Sequence, residues 1–247
     1  VHVNVPNALV GGYTVAFPDY YKFNFERWLE RDKLFIDQCG NRMDFWSIHL
    51  YDLDFGKRKR VYTGSYIEAV FDIIDHYSTL TLGSTKPFVI SEFGGRALNL
   101  ENGPWSPLRD WIQLKSISPM LMQFMDRANE IGVAVPFIVI KGEWGYKDYP
   151  YPHRLLRKEN EPDSYTGDWV YTEMIKFYQL WKDVKGIRVD SYSTNIDILC
   201  DAYVNDNTLY IILSNLTSTA QKFDVKLNGN KSNRATKLCI RHLYLDK

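Results

Sequence analysis

Two hydrophobic patterns alternate along this chain. Short apolar runs such as Phe88-Val89-Ile90 read as strands covered on both faces. Between them, apolar residues recur every three or four positions, as in amphipathic helices. A strand over residues 8–16, interrupted or ended by Gly11 and Gly12, leads to a helix carrying Phe25, Trp28, Leu29, Phe35 and Ile36, with a stop at Cys39-Gly40-Asn41. A strand over residues 43–52 follows, its far end polar at His49, Tyr51 and Asp52. Side chains alternate along a strand, so His49 and Tyr51 share a side.

The next helix starts at Ser65, with Glu68 completing a capping box, and buries Ile67, Val70, Phe71, Ile74 and Tyr77. The run from Phe88 ends at Glu92, and Gly94-Gly95 predicts a sharp turn or a close ligand approach. An irregular connection over residues 96–116 carries Trp105 and Trp111, and Ser118-Pro119 reads as an N-cap and first turn. That helix stops at Gly132, a buried strand covers 133–140, and Lys141-Gly142-Glu143-Trp144-Gly145 ends it in polar and aromatic groups. A Tyr- and Pro-rich loop, residues 146–165, precedes a helix striped with Met174, Phe177, Tyr178, Trp181 and Val184, stopped at Gly186.

Four strand-then-helix units predict parallel strands joined by crossovers. The pattern then changes. Residues 196–204 and 208–214 around Asn205-Asp206-Asn207 read as a β-hairpin, with further strands at 222–227 and 238–244. This divides the chain into an α/β domain, 1–187, and the start of an antiparallel β-sandwich, 188–247.

Composition adds little to that division. Thirty basic residues balance thirty acidic ones, so charge gives no argument for a nucleic-acid or membrane partner. No apolar run approaches the roughly 18 residues of a membrane span. Three dispersed cysteines, Cys39, Cys200 and Cys239, make no disulfide framework and no metal spacing. The basic stretch Lys57-Arg58-Lys59-Arg60 reads as a solvated loop, with a groove for an anionic substrate as the alternative. A chain opening on Val1 without a leader is expected to be a processed product or a piece of a longer protein. The surplus of aromatics, 17 Tyr, 13 Phe and 7 Trp, suits a groove that stacks on sugar rings.

In a barrel, chemistry sits at the C-terminal ends of the strands. Here those ends carry His49, Tyr51 and Asp52, then Glu92, then Glu143 and Trp144. Carboxylates among aromatics, with no cofactor motif and no metal site, fit glycoside hydrolysis, which needs two carboxyl groups.

These motifs, Asp44-Phe45-Trp46-Ser47-Ile48-His49-Leu50-Tyr51-Asp52, Phe88-Val89-Ile90-Ser91-Glu92-Phe93-Gly94-Gly95 and Ile140-Lys141-Gly142-Glu143-Trp144-Gly145, resemble strands six, seven and eight of a clan A retaining glycoside hydrolase. They are most similar to glycoside hydrolase family 86, the β-agarases and β-porphyranases. The resemblance covers residues 8–186 and implies the second half, strands five to eight, of a (β/α)8 TIM barrel followed by a β-sandwich. It implies that Glu92 is the nucleophile, that His49 and Tyr51 line the subsite floor, and that Trp144 stacks on a sugar. Asp52, Trp105 and Glu143 are the further substrate-binding candidates, Trp105 because it follows Glu92 into the loop at the mouth. The implied ligand is an algal galactan, polysaccharide or oligosaccharide, and the implied parent enzyme is an extracellular, periplasmic or outer-membrane-attached monomer. The clan's acid/base Glu follows an Asn at strand four. No Asn-Glu pair stands at that place here, and Asn160-Glu161 lies after strand eight, so the acid/base is expected upstream of Val1. Another clan A hydrolase, β-xylosidase-like, and a non-catalytic sugar-binding module are the alternatives.

Overall fold

The computed structural model describes residues 5–144, 148–228 and 236–246. They form two compact units, one up to Ile175 and one from Lys176 onward.

The first unit is built on a parallel sheet. Its strands β1 (Gly11–Val15), β2 (Phe45–Asp54), β4 (Phe88–Ala97) and β5 (Ile131–Pro136) lie side by side in that order, and the short β3 (Lys59–Arg60) pairs antiparallel with the end of β2. Crossovers connect the parallel neighbours. They comprise α1 (Glu26–Trp28), a π-turn at Leu29–Lys33 and α2 (Leu34–Cys39), then α3 (Ser65–Leu82), then α4 (Pro107–Asp126). The core is the layer between helices and sheet, where Phe71 of α3 meets Phe88 and Phe124 of α4 meets Phe93. Ile48, Leu50, Ile67, Phe88, Ile90 and Phe93 are at most 1% exposed.

Several sequence expectations need correction. α3 is capped at Gly64 without a side-chain bond. Glu68 instead bonds Gln123 and Arg127 across to α4. The connection after β4 is shorter than expected: Ser106 caps α4 by accepting from the Arg109 amide, and Pro107 takes the first turn. Pro119 therefore sits inside a helix, where its own missing N–H was read as a start signal. Gly94 and Gly95 make no turn, since β4 runs on to Ala97. A Cβ on Gly95 would stand 2.6 Å from the Ile112 carbonyl oxygen. This glycine admits the backbone of α4 against the strand.

The strand expected at 133–140 breaks at Pro136, which cannot donate to a ladder. β5 is partly exposed, with Val133 at 50%. Residues 139–141 leave for a separate sheet, β6 (Val139–Lys141), β7 (Arg154–Lys158) and β8 (Trp169–Tyr171). Its middle strand β7 lies within the expected Tyr- and Pro-rich loop. α5 (Ile175–Trp181) is shorter than its apolar stripe predicts. In the second unit β9 (Ile187–Val189), β10 (Ile198–Asn205) and β11 (Thr208–Asn215) form an antiparallel sheet whose hairpin turns at Asp206-Asn207. Residues 222–227 and 238–244 are not strands. The described residues thus give a mainly parallel sheet, a small mixed sheet and an antiparallel one, without a closed barrel or a completed sandwich.

Candidate active site

The site begins with an irregularity in β4. Phe88 and Phe93 both meet helix side chains, Phe71 and Phe124, although five positions separate them. Strict alternation would require even spacing throughout, so the phase slips by one residue between Ile90 and Phe93. The ladder shows the same slip: Ile48 pairs with Ile90, but His49 pairs with Glu92. A bulge of this kind re-aims side chains. It carries Glu92, and after it Arg96, to the face away from the helices, beside His49 and Tyr51.

On that face Tyr51 donates its hydroxyl to Oε2 of Glu92 at 2.5 Å, and Nδ1 of His49 lies 3.1 Å from the same oxygen. Among the described residues both contacts fall on Oε2, and the Glu92 side chain is 32% exposed. Burial, then the bond to Glu92, holds the Tyr51 phenol far above its usual range, so it stays protonated and donates. Burial also lowers His49, against the opposing charge of Glu92. A neutral imidazole must carry its hydrogen on Nδ1 to bond a carboxylate.

Aromatic rings continue outward from this pair. Tyr51 meets Phe17 and Phe137 at 6.1 and 6.0 Å between ring centres. Phe137 meets Tyr151 at 5.9 Å, and Tyr151 stacks on Trp144 at 4.5 Å. Trp144 is 57% exposed, an available ring face. Behind Tyr51 the Arg96 guanidinium lies 5.9 Å from its ring centre and grips Glu101. Glu101 also meets the buried His153. Burial would raise the Glu101 carboxyl, but the bonds from His153 and Arg96 prevail and hold it at about 2.

The other candidates are placed elsewhere. Asp52 points to the helix side and accepts from the Tyr62 and Thr63 amides and the Thr63 hydroxyl, shaping the entry to α3. Glu143 is exposed and accepts from the Tyr165 hydroxyl at 3.1 Å. Trp105 is not an open platform: Arg157 covers a ring face at 4.0 Å, and its indole N–H bonds the buried Asp110. Glu161 is locked to Arg154. In the basic loop Arg60 turns inward to Asp19, while Lys57, Arg58 and Lys59 are exposed. Sequence reasoning missed Arg96, Glu101, Tyr151 and His153. Arg96, four residues beyond Glu92, was the findable one, since an even spacing keeps a shared face. Among the described residues no group of three His, Cys, Asp or Glu side chains could hold a metal ion, and no helix is long and apolar enough to cross a membrane.

Residues 197–247 match the family model described as porphyranase β-sandwich domain 1. A β-agarase of Pseudoalteromonas atlantica is 51% identical over 96% of this chain and 47% of its own length. The crystal structure of the BuGH86 enzyme in complex with neoagarooctaose superposes with a TM-score of 0.85 at 49% identity, over 87% of this chain and 35% of that one. A β-porphyranase of glycoside hydrolase family 86 from the human gut bacterium Bacteroides plebeius gives 0.74 at 34% identity, over 84% and 36%. The chain spans about a third to a half of the length of the curated relatives it matches. Over the residues that it shares with these enzymes, the chain resembles glycoside hydrolase family 86 in sequence and in fold.

Proposed function

We propose that this chain supplies the second half of the (β/α)8 barrel, and part of the following β-sandwich, of a secreted endo-acting hydrolase of algal galactan. Glu92 is its nucleophile. The observation that carries this reading is the clamp on Oε2 by Tyr51 and His49. It fixes the carboxylate and leaves Oε1 for in-line attack on an anomeric carbon. Attack forms a glycosyl-enzyme ester while a carboxylic acid about 5 to 5.5 Å away protonates the departing oxygen. Water then cleaves the ester with net retention. The resemblance implies that this acid stands at the end of barrel strand four, ahead of the strands found here, and Glu143 and Glu161 pair instead with Tyr165 and Arg154. Trp144, supported by Tyr151, is the stacking platform, since sugar C–H faces pack on aromatic planes.

The test uses the full-length protein that carries these residues, assayed on agarose, porphyran and neoagarooctaose. Glu92→Gln should abolish turnover with oligosaccharide binding retained. Azide should restore cleavage to Glu92→Gly, giving a glycosyl azide of inverted configuration. Near-normal turnover in Glu92→Gln would remove Glu92 from the chemistry. The 247-residue chain alone should not cleave.

A further inference from the structure

The glycosidase reaction needs a nucleophile and a proton donor, yet a further carboxylate lies buried behind Tyr51. Glu101 is 3% exposed. An ion placed there is tolerated only with full pairing, and Glu101 has it: the Arg96 fork at 2.8 and 2.6 Å and His153 at 3.3 Å. Both partners lead back to one ring. Arg96 lies over Tyr51 directly. His153 packs at 5.2 Å on Phe137, which packs at 6.0 Å on Tyr51. Ladder register explains the reach, because Tyr51 pairs with Gly94, midway between Glu92 and Arg96. The phenol bonds the nucleophile through its hydroxyl and meets the guanidinium through its ring.

We propose that Glu101 is a positioning residue: by fixing Arg96 and His153 on either route to Tyr51, it holds the Tyr51 hydroxyl on Oε2 of Glu92. It touches neither substrate nor reacting atoms. A carboxylate orients the cation, the cation and Phe137 orient the phenol, and the phenol orients the nucleophile, as supporting shells generally hold reactive groups in place. The inference rests on Glu92 being the nucleophile, but its geometric content stands apart from any sugar chemistry.

The test reads that geometry through His49, the other group on Oε2. The chain has five histidines, few enough to follow by NMR with labelled imidazole carbons, the His49 signal being assigned by its loss in His49→Asn. When the Tyr51 hydroxyl leaves Oε2, the carboxylate attracts the His49 imidazolium more strongly and the His49 midpoint rises. Tyr51→Phe in the 247-residue chain sets the size of the full effect. Arg96→Lys keeps the charge beside Glu101 but loses the fork and the flat contact with the ring, and should raise the midpoint by about half a pH unit. In Glu101→Gln the lost negative charge by itself would lower the midpoint, so a rise reports the displaced hydroxyl. A His49 midpoint unmoved within about a tenth of a unit in Arg96→Lys, or a fall in Glu101→Gln, overturns the proposal. Should Glu101→Gln fail to fold, Arg96→Lys alone decides. Failure of the nucleophile assignment would appear in the azide experiment and leave this titration unchanged.

Discussion

Tyr51 of β2 donates to Glu92 of β4 across two adjacent parallel strands, at 2.5 Å. The hydroxyl is the last atom of a side chain that is 3% exposed, so its position is set by core packing. Removing it in Tyr51→Phe leaves the ring in place and the carboxylate short of a donor. A hydrogen bond to a charged group is worth about 1.5 to 3 kcal/mol, so kcat of the full-length enzyme should fall about 10- to 150-fold. Oligosaccharide affinity should change little. Unchanged kcat would mean that His49 alone orients Glu92.

Trp144 and Trp105 should separate by assay. Trp144→Ala exposes Tyr151 and removes a stacking face, so oligosaccharide affinity should drop about three- to tenfold with an unchanged melting temperature. Trp105→Phe keeps a ring for Arg157 but takes the indole donor from Asp110, which is fully buried. Stability should fall by about 1 to 3 kcal/mol with affinity intact. Calorimetric titration and thermal melts measure both, and the reverse pattern would make Trp105 the platform.

Gly95→Ala places a methyl 2.6 Å from the Ile112 carbonyl oxygen and 3.0 Å from the Gln113 Cα, both backbone atoms of α4. The helix must move away, at a cost of about 1 to 3 kcal/mol. Since Glu92 precedes this contact by three residues, turnover should suffer with it. Urea unfolding measures the loss, and a neutral result would mean that α4 is free to slide on β4.

Asp32, in the π-turn, carries a different prediction. Burial raises its carboxyl from 3.8 to about 6 against the bond from Tyr20, whose hydroxyl lies 3.0 Å from Oδ1. A raised folded value means that the group's stabilising contribution is complete below pH 3.8 and is lost as pH rises through about 6. Asp32→Asn, neutral at every pH, should therefore be more stable than the parent at pH 7 by roughly 2 kcal/mol. The gain should vanish near pH 4. Chemical unfolding at the two pH values checks it, and an equal difference at both would assign the effect to the amide itself.

The sequence determined much of this architecture locally. Apolar runs located β2 and β4, the 3.6-residue stripe located α3 with Ile67, Val70, Phe71 and Ile74 inward, and Asn205-Asp206-Asn207 located the hairpin of the second unit. His49 and Tyr51 were placed on one face because alternation is a property of the strand itself. Glu92 stood out because a carboxylate closing an apolar run is a local anomaly. Tertiary structure decided the rest. The bulge that brings Glu92 into phase with His49 exists only in the pairing of two strands. Ser106 outcompeted Ser118 as a cap through the geometry of the turn. Glu101 and His153 are 52 residues apart, and no pattern along the chain announces a charge that becomes tolerable only when folding delivers both of its partners.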